Sequence, residues 1–382
     1  MNLAEKLRMI TSKPKPAPEA APSFTDCWQR TRVRPLDEFP ELSSLNSKNL
    51  MLMQHEDLPS PFLPGKVLFL DTETTGLSGG AGTVAFEIGA GVLTKDGFAV
   101  TQYVMRDYPE ERYMLEKVLE RLDECDVICT FNGKSFDIPL LRTRFILNRL
   151  PTDVLDKPHL DLLHMARRLY KLRLKQCRLS RLEEEVLGIP RVGDLPGSEA
   201  PARFHQYLLT HDFALLDDVL FHNEQDVASM LALLSHMCAD YESPERIGHQ
   251  EDIFSMAGAL DREKHVRQSR RCYRLVPSGR LHAVSQMRLA DSHRKSGEKE
   301  KARDIYLDMI IRHEGGAEPY IALAKYYEHT EHDLEKALEF TRKGLLTLAE
   351  PTLLDPPSVQ ETRNQLQYRY DRLQGRLTRK GQ

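Results

Sequence analysis

Apolar positions follow no clear period through the first 64 residues, where nine of the chain's 22 prolines fall in stretches such as KPKPAPEAAPSF and LPSPFLPG. That composition predicts an extended arm over residues 1–60. From Lys66 the pattern changes to short apolar runs bounded by glycine: VLFLD (67–71), TVAFEIGAGVL (83–93), FAVTQYVM (98–105) and DVICTF (126–131). Their β-branched and aromatic residues predict strands. Short glycine-bearing links, GLSGGAG and TKDG, join the first three as a meander of antiparallel neighbours. ERYMLEKVLERLDEC (111–125) repeats its apolar residues at helical spacing, so the fourth strand returns parallel through a crossover. Helices are predicted at 137–149, 159–172, 178–187 and 213–237.

Beyond Pro244 the pattern is helical throughout. Leu289-Ala290 with Gly297, Ala302 and Tyr306 resembles the tetratricopeptide repeat pattern, and Leu323-Ala324 follows 34 residues later, with Ala337 matching Ala302 after a one-residue insertion. The other reading is a pair of ordinary helical hairpins. Leu366, Tyr370, Leu373 and Leu377 form a seam that would cap a repeat stack. The chain thus divides into an arm (1–60), an α/β domain (61–242) and an all-α helical repeat domain (243–382).

Asp71 and Glu73 end the first run two residues apart, so both side chains leave the same face of a strand. Such pairs are common on solvated strand ends. VLFL, however, lacks polar alternation, which places this strand in the sheet interior with its carboxyl end where open α/β sheets put their sites. Asp137 follows the fourth strand across Asn132-Gly133-Lys134-Ser135-Phe136; an Asp ahead of Ile138-Pro139 also suits a helix cap. Asp226 flanks the apolar face of FALLDDVLFHNEQDVASMLALLSHM, one turn after His222. Four carboxylates gathered in one cleft would suppress each other's ionisation and relieve it by binding divalent cations, and an all-oxygen set points to Mg²⁺ or Mn²⁺.

The order D-x-E, N-x3-F-D, H-x3-D resembles the DEDD exonucleases of the ribonuclease H-like superfamily. FLDTETTGL-SGGAGTVAF, FNGKSFDIPLL and HN-x2-D are most similar to the YprB-like proteins of that superfamily, over roughly residues 60–240. The resemblance implies a ribonuclease H-like mixed sheet with flanking helices, Asp71, Glu73, Asp137 and Asp226 as ligands of two metal ions, and His222 as general base. It further implies a 3′–5′ exonuclease-like phosphodiesterase acting on single-stranded DNA or RNA. In the superfamily a four-residue spacing before the last aspartate usually goes with tyrosine; an imidazole, with a pKa near about 6.5, accepts a proton more readily than a phenol near about 10.

The net charge of −4 gives no bulk attraction to nucleic acid, so binding needs a local patch. Arg167, Arg168, Lys171, Arg173 and Lys175 lie in a stretch from Leu162 to Leu182 that carries seven Lys/Arg and no acid, a candidate phosphate-binding stripe that Lys134 extends. The basic tail from Arg363 is a second candidate contact. No run is long enough for a membrane span, and Met1–Ser23 lacks the apolar core of a signal peptide. Six scattered cysteines without C-x2-C pairs suit a reduced, cytoplasmic protein. Gly76, Gly79, Gly80 and Gly82 read as a hairpin turn, since no Lys-Ser/Thr follows them as a phosphate loop requires. Two functions fit: a metal-dependent nuclease, or a non-catalytic nucleic-acid-binding scaffold recruiting a protein partner through its helical repeats.

Overall fold

The computed structural model describes residues 26–54, 57–76, 82–191, 193, 195–279, 281–348 and 356–380. Strands β1 (Trp28–Arg34), β2 (Val67–Thr74), β3 (Ala85–Thr94), β4 (Gly97–Val104), β5 (Val127–Thr130) and β6 (His159–Asp161) form one sheet in the order β1-β4-β3-β2-β5-β6. With them stand helices α1 (Ser47–Met53), α2 (Glu111–Glu124), α3 (Asp137–Leu147), α4 (Leu162–Leu174), α5 (Leu179–Leu182), α6 (Ala200–Thr210) and α7 (Asp217–Glu242). The mixed sheet expected from the apolar runs, of the ribonuclease H-like kind that the resemblance implies, is present: β2, β3 and β4 are antiparallel neighbours, and β5 pairs parallel with β2. Val67, Leu68, Phe69 and Leu70 are fully buried, as an interior strand requires. The crossover helix α2 contributes Met114, Leu115, Val118 and Leu122 to the same core.

Several features differ from expectation, among them strand β6 in place of the first residues of the helix expected at 159–172. The supposed arm carries α1 and the edge strand β1, paired with β4 from Trp28↔Val104 to Arg34↔Phe98. WQRTRVR exposes most of its positions, and an edge strand with one wet face lacks the apolar run that marks an interior one. Residues 1–25 of that arm, and Gly79 and Gly80, lie outside the described residues. Helix α4 starts at Leu162 rather than 159, because Asp161 caps it by accepting from the Leu163 amide at 3.1 Å. Helix 178–187 becomes the short α5 followed by a π-helical turn, Glu183–Leu187. Helix α6, with Phe204 and Tyr207 buried, has no counterpart in the sequence reading.

Contacts group the chain into two compact units. One takes Gly65–Leu160 and Val192–Met230 with the described residues up to Glu38; the other takes Phe39–Pro64, Asp161–Arg191 and Leu231–Gln382. The first holds the sheet core. In the second, the C-terminal helical region comprises α8 (Gln250–Arg262), α9 (Val266–Leu275), α10 (His282–Lys295), α11 (Lys299–Ile311), α12 (Glu318–His329), α13 (Leu334–Thr347) and α14 (Pro357–Lys380). Residues 161–191 join this unit in part because Arg168 reaches Glu263 and Arg173 donates to Asp252 of α8 at 2.8 Å. Leu366 and Leu373 of the predicted seam are buried, and Arg369, Arg372 and Arg376 of α14 pair with the buried Glu328. Those three tail cations serve packing. Among the described residues no helix is long and apolar enough to cross a membrane.

Two outcomes test this packing. A Cβ on Gly91 of β3 would come within 2.4 Å of Phe98 Cζ and 2.6 Å of Val227 Cγ1, so α7 approaches β3 only over glycine. Gly91→Ala is expected to destabilise the chain by about 1–3 kcal/mol in denaturant unfolding; wild-type stability would contradict that packing. Burial, only partly offset by Arg173, pushes the Asp252 carboxyl from 3.8 up to about 6. Between these values the folded chain keeps a proton that the unfolded chain releases, so stability falls as pH rises through the window. The melting temperature of wild type relative to Asp252→Asn should drop from pH about 4 to about 6 and level off above; a flat difference would refute it.

Candidate active site

Asp71 and Glu73 follow the apolar stretch of β2, and in register with them across β3 stand Gly89 and Glu87. A register shift between Glu73 and Thr74 ends regular pairing there. On the parallel neighbour β5 the chain turns through Asn132–Phe136 into α3. The N-cap position falls on Phe136 without a side-chain cap, and Asp137 sits in the first turn with Oδ1 accepting the Thr72 hydroxyl at 2.6 Å. Asp137 is therefore tied to β2. α7 brings the remaining two residues: His222 Nε2 stands 3.7 Å from Asp226 Oδ2 and 3.9 Å from Glu73 Oε1.

Three separate stretches of sequence thus converge on one point, and its electrostatics follow from the crowding. Glu73, Asp137 and His222 are buried. Burial first, then the carboxylates of Asp226, Asp137 and Glu73, hold the Asp71 carboxyl well above its ordinary 3.8, while a hydrogen bond from Asn223 works in the opposite direction. Among the described residues no group of three or more His, Cys, Asp or Glu is already arranged around an ion position. The donor set is nonetheless of the kind that takes a hard cation: four carboxylates, mutually repelling, with an imidazole at their edge.

A model of the RNase_H superfamily matches residues 68–238, the stretch that holds every one of these side chains. The "Uncharacterized protein YprB" of Bacillus subtilis (strain 168) is 32% identical over 287 residues, covering 73% of this chain and 69% of that protein. The chain belongs to the YprB family and carries an RNase H superfamily domain. Family B DNA polymerase from the hyperthermophilic archaeon Pyrobaculum calidifontis aligns at 19% identity with a TM-score of 0.38, over 58% of this chain and 30% of the polymerase, of which the chain spans under a third.

Membership in the RNase H superfamily points to nuclease chemistry, and nucleases of this fold typically use divalent metals. In this YprB-family chain the five residues expected at the site, Asp71, Glu73, Asp137, His222 and Asp226, all lie in the sheet unit. Lys134 is exposed in the loop leading to α3. Arg167, Arg168, Lys171, Arg173 and Lys175 lie in the other unit. Arg168 donates to the Met53 carbonyl at 2.9 Å, and Arg173 pairs with Asp252, so the stripe without local acids borrows acids from distant segments. Arg167, Lys171 and Lys175 remain exposed.

Sequence reasoning missed Thr72, Glu87, Gln102 and Asn223. Glu87 and Gln102 are buried, and a signal for them existed: each is a polar residue inside a mostly apolar run, AFEIG and AVTQYV. Burial pushes the Glu87 carboxyl up to about 8, helped by Asp71 and opposed by Gln102. Because Asp71 carries an unwelcome charge, Asp71→Asn is expected to stabilise the metal-free chain by on the order of 1 kcal/mol in chelator. Calorimetry checks this; a loss of stability would show that the carboxylate is compensated within the fold.

Proposed function

We propose that this chain is a metal-dependent nuclease, an exonuclease-like phosphodiesterase of the DEDD type working 3′–5′ on single-stranded DNA or RNA. The observation that carries the reading is the convergence of Asp71, Glu73, Asp137 and Asp226, from β2, α3 and α7, around one histidine. Asp71, Glu73, Asp137 and Asp226 would hold two divalent ions, Mg²⁺ or Mn²⁺, which when bound supply an activated water and charge stabilisation at the leaving oxygen. His222 Nε2, beside Asp226 and Glu73, takes the proton of the attacking water. Thr72 holds Asp137 toward the cluster.

Phe136 and Phe221 support a single-stranded substrate. Each directly precedes a site residue, and they expose 57% and 50% of their surface, offering rings on which unpaired bases stack. Lys134, Arg167, Lys171 and Lys175 are the proposed phosphate contacts, with Arg168 and Arg173 supporting them through packing. The C-terminal helices are read as tetratricopeptide-like hairpins that dock a protein partner: Leu289, Ala290, Leu323 and Ala324 are buried at positions 34 residues apart, as are Ala302 and Ala337 one residue further. Six buried free thiols fit a reducing compartment, the cytoplasm.

End-labelled DNA and RNA oligonucleotides incubated with Mn²⁺ should shorten from the 3′ end, and chelation should stop the reaction. Asp71→Ala and Asp226→Ala should fall to background, and His222→Ala should lose about 10²–10⁴-fold. Undiminished activity in Asp71→Ala, or hydrolysis that persists in chelator, would overturn the reading.

A further inference from the structure

Asp71 is addressed from one side by a chain of donors whose direction is fixed at its far end. Asn223 Nδ2 donates to Asp71 Oδ2 at 2.9 Å, and lies 3.4 Å from the Asp71 carbonyl oxygen. An amide has a donor end and an acceptor end, so its direction must come from its neighbours. Gln102 Nε2 faces Asn223 Oδ1 at 3.3 Å, the Leu220 carbonyl at 2.6 Å and Glu87 Oε1 at 2.8 Å. On its other side Gln102 Oε1 accepts from Arg30 Nη2 at 2.7 Å. A guanidinium only donates and a carbonyl only accepts, so both contacts force the Gln102 amide to turn its nitrogen inward. With two hydrogens for three acceptors, the Gln102 nitrogen shares one of them with Asn223 Oδ1, a contact that turns the Asn223 oxygen toward Gln102 and its nitrogen toward Asp71.

Space fixes where that amide lies. A Cβ on Gly89, the register partner of Asp71, would lie 2.1 Å from Asn223 Oδ1 and 2.9 Å from its Nδ2. The Asn223 amide occupies the volume that any larger residue at 89 would fill. Asn223 and Gln102 are 0% and 1% exposed, so water cannot substitute for either partner. Arg30 is itself held by Glu224, which also pairs with Arg32 at 3.0 Å. The edge strand β1 therefore sets the direction of a relay that ends on the carboxylate at the centre of the site.

We propose that Asn223 is a positioning residue for Asp71, oriented through Gln102 by Arg30, and that it fixes the rotation of the carboxylate that takes the cation. This rests on the nuclease reading above. Groups that hydrogen-bond a metal-binding carboxylate fix its orientation, and their loss typically weakens metal binding about 10–100-fold.

The test titrates Mn²⁺ alone into the chelator-treated full chain by calorimetry, with melting temperature and single-strand cleavage measured beside it. Asn223→Ala is expected to weaken Mn²⁺ binding about 10–100-fold and to lower kcat with little change in KM for the oligonucleotide. Asn223→Asp keeps the shape beside Gly89 but replaces the donor by a second carboxylate, and is expected to lose kcat at least as heavily. Should either fold poorly, Arg30→Met releases the Gln102 amide from a partly exposed edge position and should weaken Mn²⁺ binding in the same direction, to a smaller extent. Wild-type Mn²⁺ affinity in all three variants would overturn the assignment and leave the nuclease reading standing. A wild-type chain that binds no Mn²⁺ would overturn both.

Discussion

Asp71 is a carboxylate placed where its charge is least welcome. The strand that delivers it is fully buried over Val67–Leu70, three further carboxylates crowd it, and burial and repulsion together hold its proton affinity well above the usual range. A fold under selection for stability alone would put an apolar residue there. Much of the sheet unit makes sense as the means of keeping that arrangement in place: the parallel pairing of β5 that delivers α3, the glycines of β3 that let α7 lie close, and the Thr72 and Asn223 hydrogen bonds that tie Asp137 and Asp71. The strain is electrostatic, and the proposed divalent cations would relieve it.

The site divides its labour among elements of different rigidity. β2 supplies two carboxylates from the sheet interior, the most constrained position available. α3 and α7 supply the rest from helix positions fixed by sheet packing, so the imidazole of His222 faces Asp226 and Glu73 across a gap of under 4 Å. The second unit follows another logic. There, charged residues such as Glu328, Arg369, Arg372 and Arg376 are internal to helix packing, and the tail that reads as basic in sequence spends part of its charge on one buried glutamate. On α4 and the residue after it, Arg167, Arg168, Lys171 and Lys175 are exposed, with Arg168 also bonded to the Met53 carbonyl and Glu263.

What the sequence revealed and what it hid have physical causes. The interior strands were legible because burial on both faces leaves an uninterrupted apolar run, as in VLFL and DVICTF. Of the proposed ligands, Asp71 and Glu73 stand where VLFL ends and Asp137 across the turn after DVICTF, whereas Asp226 lies within α7, one turn after His222. β1 was not, since WQRTRVR has one solvated face and depends on β4 for its pairing. Three-residue β6 is shorter than any period can show. The unpaired look of Arg168 and Arg173 misled because their acids, Glu263 and Asp252, lie about 80 to 95 positions away in sequence. Asn223 was hidden for a related reason: its importance depends on Gly89, Gln102 and Arg30, which only folding brings beside it.

The acid cluster is proposed to hold cations. Anomalous diffraction from crystals soaked in Mn²⁺ tests it without reference to any substrate. Two Mn²⁺ peaks within coordination distance of Asp71, Glu73, Asp137 and Asp226 are expected, with Asn223 still bonded to Asp71. No peak among these carboxylates at saturating Mn²⁺ would contradict the account.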